Sequence, residues 1–157
     1  MVHITDDDRF HEQGDYEPGN LGAPVFEASV GEVGVAICYD RPPLSRVLVL
    51  SGAEVVLVPH AGVADEWLSA PNEAEMQVAA FTNGCFIVLA SRVGKEFELD
   101  FSGKSFECGA DGVLITQAPR GRESIIFCDI DICQASTNHA KRLFLKHRRP
   151  DLYREWF

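Results

Sequence analysis

Two nearly continuous apolar runs, residues 53–59 and 85–91, each follow a stretch with helical spacing, and this order constrains the fold more than any other feature. Ala53-Glu54-Val55-Val56-Leu57-Val58-Pro59 has no polar alternation, which predicts a strand buried on both faces of a sheet. Residues 44–51 carry apolar side chains at helical spacing, with Gly52 as the end signal. Residues 72–83 repeat the pattern, with Asn72 as N-cap and Glu73 and Glu75 in the first turn. The two units predict an α/β fold with a buried sheet flanked by helices.

Ahead of these units, residues 24–28 and 31–38 read as strands, and the step through Val30-Gly31-Glu32-Val33 predicts a hairpin. Pro42-Pro43 then stops the sheet. Residues 1–21 are polar and punctuated by Gly14, Pro18 and Gly19, with Gly22 following, so they read as loop. Such a loop is far longer than most connections, and a preceding element is expected to be missing. After Gly94 the pattern shortens to strands 97–101, 104–108, 113–116 and 124–130, read as antiparallel hairpins. A last helix is expected over 131–145, followed by the basic run Lys146-His147-Arg148-Arg149 and the apolar end Leu152, Tyr153, Trp156 and Phe157. There is no internal repeat. The chain divides into a loop (1–22), a sheet and helix core (23–130) and a C-terminal helix with an oligomerisation tail (131–157), together one partial domain.

Composition excludes several classes. A chain of 157 residues that is 46% hydrophobic and 24% charged can bury one sizeable core. A net charge of -10 argues against a nucleic-acid surface, which needs clustered Lys and Arg. Cys38, Cys85, Cys108, Cys128 and Cys133 are odd in number and form no CxxC pair, so neither a disulfide framework nor a zinc knuckle is expected. A reducing, cytoplasmic setting fits, and no apolar run is long enough to span a bilayer. Asp6-Asp7-Asp8 invites a metal reading, but adjacent carboxylates in a loop point different ways, and a solvated charge run is preferred. No metal or cofactor is expected. Cys85, Cys108, Cys128 and Cys133 stand in apolar contexts and read as small core residues.

Cys38 stands apart, because a cysteine between a buried strand and a sharp turn has its thiol fixed at the strand's carboxyl end, where open sheets place ligand crevices. Inert burial is the more common fate of such a residue. The neighbours decide between the two. Gly34-Val35-Ala36-Ile37-Cys38-Tyr39-Asp40-Arg41, followed by Gly52-Ala53-Glu54 and Pro59, resembles the nucleophile segment of the nitrilase superfamily of carbon-nitrogen hydrolases. Upstream, His3-Ile4, Phe10, Glu12, Tyr16, Pro18-Gly19-Asn20-Leu21-Gly22 and Pro24-Val25-Phe26 fall in the family's order. Downstream, Ser91-Arg92-Val93-Gly94, Phe101-Ser102-Gly103-Lys104-Ser105, Asp111-Gly112 and Arg149-Pro150-Asp151-Leu152-Tyr153 continue it. The wording is most similar to beta-ureidopropionase-like N-carbamoyl amide hydrolases.

The resemblance implies a nitrilase-type α-β-β-α sandwich with its amino-terminal part missing. It also implies a thiolate that attacks the carbon of a small linear amide, carbamoyl group or nitrile and gives a thioester-type intermediate, which water later hydrolyses. Cys38 takes the nucleophile position, Glu12 a supporting glutamate position, and the Tyr39 backbone N–H the oxyanion position. The family's lysine position is Met1, and its base glutamate belongs to a segment before this chain. The stretch from Cys38 to Gly52 is also shorter than the family's by about two residues, and the Pro-Glu usual after the nucleophile turn is replaced by Pro42-Pro43-Leu44.

Four more residues are candidates. Arg41 is read either as a clamp for a substrate carboxylate or as a salt-bridge partner. His60, at a strand end, either touches substrate or is simply hydrogen-bonded. Glu66 and Trp67 line the pocket rim or pack. The basic run 141–149 and its aromatic end are expected to meet a second copy, giving a homodimer or larger homo-oligomer acting on a small amide. The rival reading is a truncated or non-catalytic protein of the same fold that binds a small molecule or a partner subunit.

Overall fold

The computed structural model describes residues 1–6, 10–64 and 69–156. The apolar runs are adjacent parallel strands, β3 (Val55–His60) and β4 (Phe86–Ser91), in register from Val55 opposite Phe86 to His60 opposite Ser91. β2 (Gly31–Val35) runs parallel on the other side of β3, and α2 (Arg41–Leu50) and α3 (Ser69–Asn83) make the crossovers. Antiparallel strands complete the sheet: β1 (Val25–Ala28) beside β2, then β7 (Phe106–Cys108) and β8 (Leu114–Gln117) beyond β4. A separate hairpin joins β5 (Val93–Glu96) to β6 (Leu99–Ser102). The β1–β2 hairpin turns at Ser29-Val30, because Ala28 already pairs with Gly31.

The main core lies between the sheet and its helices. Leu48 and Val49 of α2 and Met76 and Ala80 of α3 pack on Ala36, Val56, Val58, Ile87 and Leu89. Close approach of α2 requires a glycine at position 34, where a Cβ would stand 2.8 Å from a Leu48 methyl. On the opposite face Val33, Val55 and Phe86 are covered by Ala135, with Ile130 and Ile132 against them. Farther along that face Leu57 and its register partner Val35 are 38% and 37% exposed. β3 is therefore covered on one face along its length and on the other only at one end, which departs from the two-sided burial expected. One main sheet with one helical layer supplies two layers of the four expected for a sandwich.

Several boundaries also differ from expectation. Residues 1–22 include one helical turn, α1 (Glu12–Asp15). Pro42 and Pro43 do not merely end the sheet but lie in the first turn of α2, where their missing N–H groups cost nothing. α3 starts at Ser69, so Asn72 is inside the helix rather than its N-cap. Phe97, expected to open a strand, is 97% exposed at the β5–β6 turn with φ +51°. Residues 124–130 form no strand because they meet no ladder partner among the described residues, and Ile125 and Phe127 are exposed. Cys128 on that segment and Cys133 are exposed rather than core, while Cys85 and Cys108 are buried as expected.

The expected helix over 131–145 is split into α4 (Cys133–Thr137) and α5 (His139–Arg142). Asn138 between them takes an extended conformation and its side-chain oxygen accepts the Ala140 N–H, capping α5. The basic run leads into α6 (Pro150–Trp156), whose Tyr153 and Trp156 are exposed in this chain. Phe157 lies outside the described residues. No helix among the described residues is long and apolar enough to cross a membrane.

Candidate active site

β2 ends at Val35, but its edge continues as far as Ala36, whose N–H donates to the Leu57 carbonyl at 3.0 Å. Two residues on, Cys38 leaves the sheet with φ +46° and opens a 3-10 turn, Cys38–Asp40, that runs directly into α2. A left-handed backbone at a residue other than glycine costs on the order of 1–3 kcal/mol and persists where the surroundings enforce it. Here both flanks of the turn do so.

On one flank, the Asp40 carboxylate is almost fully buried and accepts the backbone N–H of Val2 at 3.0 Å and of His3 at 2.6 Å, with the His3 ring at 3.0 Å. Residues at the start of the chain are thereby tied to the cysteine's own turn. The same segment is held again at Thr5, whose N–H donates to Glu12 Oε2 at 2.9 Å.

On the other flank, Arg41 is 8% exposed and each of its guanidinium nitrogens donates to the chain. Nε reaches Glu75 at 3.1 Å, Nη2 reaches the Asn72 side-chain oxygen at 3.0 Å, and Nη1 reaches the Cys38 carbonyl at 3.0 Å. Arg41 thus makes an ion pair with Glu75 and also lines the cavity. Glu75 and Asn72 were visible in the sequence only as helix-start residues; their part in the site came from the fold.

His60 closes β3 at the cavity wall. Its Nδ1 accepts the Gly62 N–H at 3.1 Å and lies 3.4 Å from the Ser91 hydroxyl, which leaves the proton on Nε2. Burial, and secondarily the positive charge of Arg41, push its pKa down to about 4, so the ring is neutral at pH 7. Gly62 has to be glycine, since a Cβ there would stand 2.2 Å from the imidazole.

These groups meet. Cys38, Tyr39, Glu12, Arg41 and His60 line one cavity of about 1210 Å³, together with Met1 at the position where the resemblance puts a lysine. Of the predicted site residues, Glu66 and Trp67 lie outside the described residues. Arg92, which sequence reasoning passed over as part of a motif, also lines the cavity; it pairs with Glu96 at 2.6 Å and sits 4.4 Å over the Phe101 ring. Among the described residues no group of three or more His, Cys, Asp or Glu side chains is arranged to hold a metal. The arrangement brings a thiol, a carboxylate, a neutral imidazole and a backbone turn to the lining of one concave site.

The chain is similar to N-carbamoylputrescine amidase of Arabidopsis thaliana, at 30% identity over 97% of this chain and 56% of that protein. A crystal structure of a carbon-nitrogen hydrolase from Helicobacter pylori G27 superposes with a TM-score of 0.87 at 30% identity, covering 99% of this chain and 59% of that one. An amidase from Nesterenkonia sp. AN1, solved as a mutant with the acetamide moiety of fluoroacetamide added covalently at its active-site cysteine, gives 0.81 at 26% identity, covering 99% of this chain and 54% of that one. The chain thus spans a little over half the length of the relatives it matches. Residues 1–137 match the carbon-nitrogen hydrolase family, and on that match and the shared fold the chain belongs to it.

Proposed function

We propose that Cys38 is the nucleophile for hydrolysis of a small linear amide, an N-carbamoyl compound above all. The observation that carries this reading is the strained, doubly anchored turn that presents Cys38 and Tyr39 to the same cavity as Glu12 and His60. The Cys38 thiolate forms a C–S bond to the carbamoyl carbon, and the carbonyl π electrons move onto oxygen, facing the Tyr39 N–H. Collapse of that oxyanion breaks the C–N bond, and the leaving nitrogen takes up the proton lost by the thiol and departs as ammonia. Water then attacks the thioester-type carbon and frees the thiol and a carbamic acid, which loses carbon dioxide to leave an amine. Glu12 holds the segment that crosses the site through the Thr5 N–H, and neutral His60 offers Nε2–H as a hydrogen-bond donor to substrate. No cofactor enters the scheme.

Met1 is a thioether and cannot neutralise an oxyanion. Loss of one electrostatic donor costs about 100- to 1,000-fold in rate, so turnover by these residues alone is slow. That substitution also favours the second reading, a non-catalytic member of the family that binds a small molecule or a partner subunit. The exposed Tyr153 and Trp156 on α6 support association of copies through the C-terminal helix.

The test is ammonia release from N-carbamoyl-β-alanine, N-carbamoylputrescine and butyramide by the purified chain and by Cys38→Ala. Turnover that disappears in Cys38→Ala supports the enzyme reading. Saturable binding with no turnover from any of the three selects the second.

A further inference from the structure

We infer that Arg41 is a positioning residue for the oxyanion donor rather than a substrate clamp, an assignment that rests on the acyl-transfer reading of this site. The link is the peptide unit between Cys38 and Tyr39. Its carbonyl accepts twice from one residue: the Arg41 backbone N–H closes the 3-10 turn onto it, and Arg41 Nη1 donates to it at 3.0 Å. Both lone pairs of that oxygen are then engaged. A peptide unit is planar, and no cis peptide bond occurs among the described residues, so in this trans unit fixing the direction of the carbonyl fixes the Tyr39 N–H on the opposite side. Cys38 and Tyr39 both line the cavity.

The guanidinium is itself held. Glu75 and Asn72, both from α3, take Nε and Nη2, so the helix is connected through Arg41 to the peptide that follows the nucleophile. A substrate carboxylate would need two parallel N–H donors along one edge of the guanidinium fork. Each edge already carries a protein acceptor, Glu75 on the Nε side and the Cys38 carbonyl on the other, and Asn72 takes the Nη2 that the two edges share. A charged donor on the carbonyl also polarises the amide and strengthens its N–H as a donor, which serves the oxyanion that forms during attack.

Two measurements test this, and the first does not depend on turnover. The chain contains three tyrosines, Tyr16, Tyr39 and Tyr153, so ¹⁵N-tyrosine labelling gives a spectrum simple enough to assign with Tyr39→Phe. Arg41→Met is expected to displace or broaden the Tyr39 amide peak and leave Tyr16 and Tyr153 in place, with Arg41→Lys moving it back toward the wild-type position. An unmoved Tyr39 peak, or equal displacement of all three, overturns the proposal.

The second measurement is kinetic, with N-carbamoyl-β-alanine, which has a carboxylate, against butyramide, which has none. Mispositioning a reacting group costs roughly 100-fold, so Arg41→Met should lower kcat by about that factor on both substrates with KM unchanged. A KM that rises for N-carbamoyl-β-alanine alone at constant kcat identifies a substrate clamp and refutes the inference. If the wild-type chain turns over neither compound, the proposed function fails and the amide spectrum alone decides the role of Arg41.

Discussion

His60 makes stability depend on acid in a way that can be isolated. Burial pushes its pKa down from 6.5 to about 4, with the Arg41 charge adding to the effect, so the folded chain resists a proton that the unfolded chain accepts. Between those values the unfolded state binds more protons, and stability therefore falls as pH drops from about 6.5 toward 4. At about 1.4 kcal/mol for each tenfold change in proton affinity, the gap between 6.5 and about 4 amounts to about 3 kcal/mol. His60→Gln carries no charge at any pH and removes the effect. Urea unfolding of both proteins in steps from pH 7.5 to 4 gives a difference curve in which carboxylates common to both cancel. The curve should be flat above about pH 6.5 and then slope against the wild type, reaching about 3 kcal/mol near pH 4. A curve flat across the whole range would refute the claim that the ring is held neutral by burial.

Three further outcomes follow from the packing and the anchors. Gly34→Ala puts a methyl 2.8 Å from Leu48 and should cost about 1–3 kcal/mol in urea unfolding, since the backbone there is ordinary and only packing is disturbed. Asp40→Asn weakens the acceptors of Val2 and His3 and should speed hydrogen exchange at those two amides by at least about tenfold, with exchange in β3 and β4 unchanged. Burial pushes the thiols of Cys85 and Cys108 up to about 12, so iodoacetamide at pH 8 should label Cys38 and leave both unmodified in the folded chain, as read by peptide mass spectrometry.

What the sequence makes legible is what local physics decides. The apolar runs at 55–58 and 86–90 and the helices that precede them follow from apolar continuity and helical spacing, and the Cys38 turn follows from its neighbours. The limits are equally physical. Residues 124–130 have the composition of a strand, but a strand exists only if another edge meets it. Asn138 splits a periodic helix because its side chain offers the backbone a competing hydrogen bond. In the site, Cys38, Glu12, Tyr39 and His60 are recognisable as residues, whereas the Arg41 contacts with Asn72 and Glu75 span more than thirty positions and exist only once α2 and α3 pack. In the sequence alone, an arginine beside the proposed nucleophile reads equally as a clamp or a salt-bridge partner.

The claim on which the rest depends is covalent chemistry at Cys38, and it is tested most directly by trapping the intermediate. The chain is incubated with butyramide, quenched in acid within the first turnover, digested and read by mass spectrometry. The account predicts a butyryl group on the peptide carrying Cys38, absent from Cys38→Ala and absent at Cys85 and Cys108. Ammonia released by Cys38→Ala at the wild-type rate, or turnover with an acyl group on any residue other than Cys38, would contradict it.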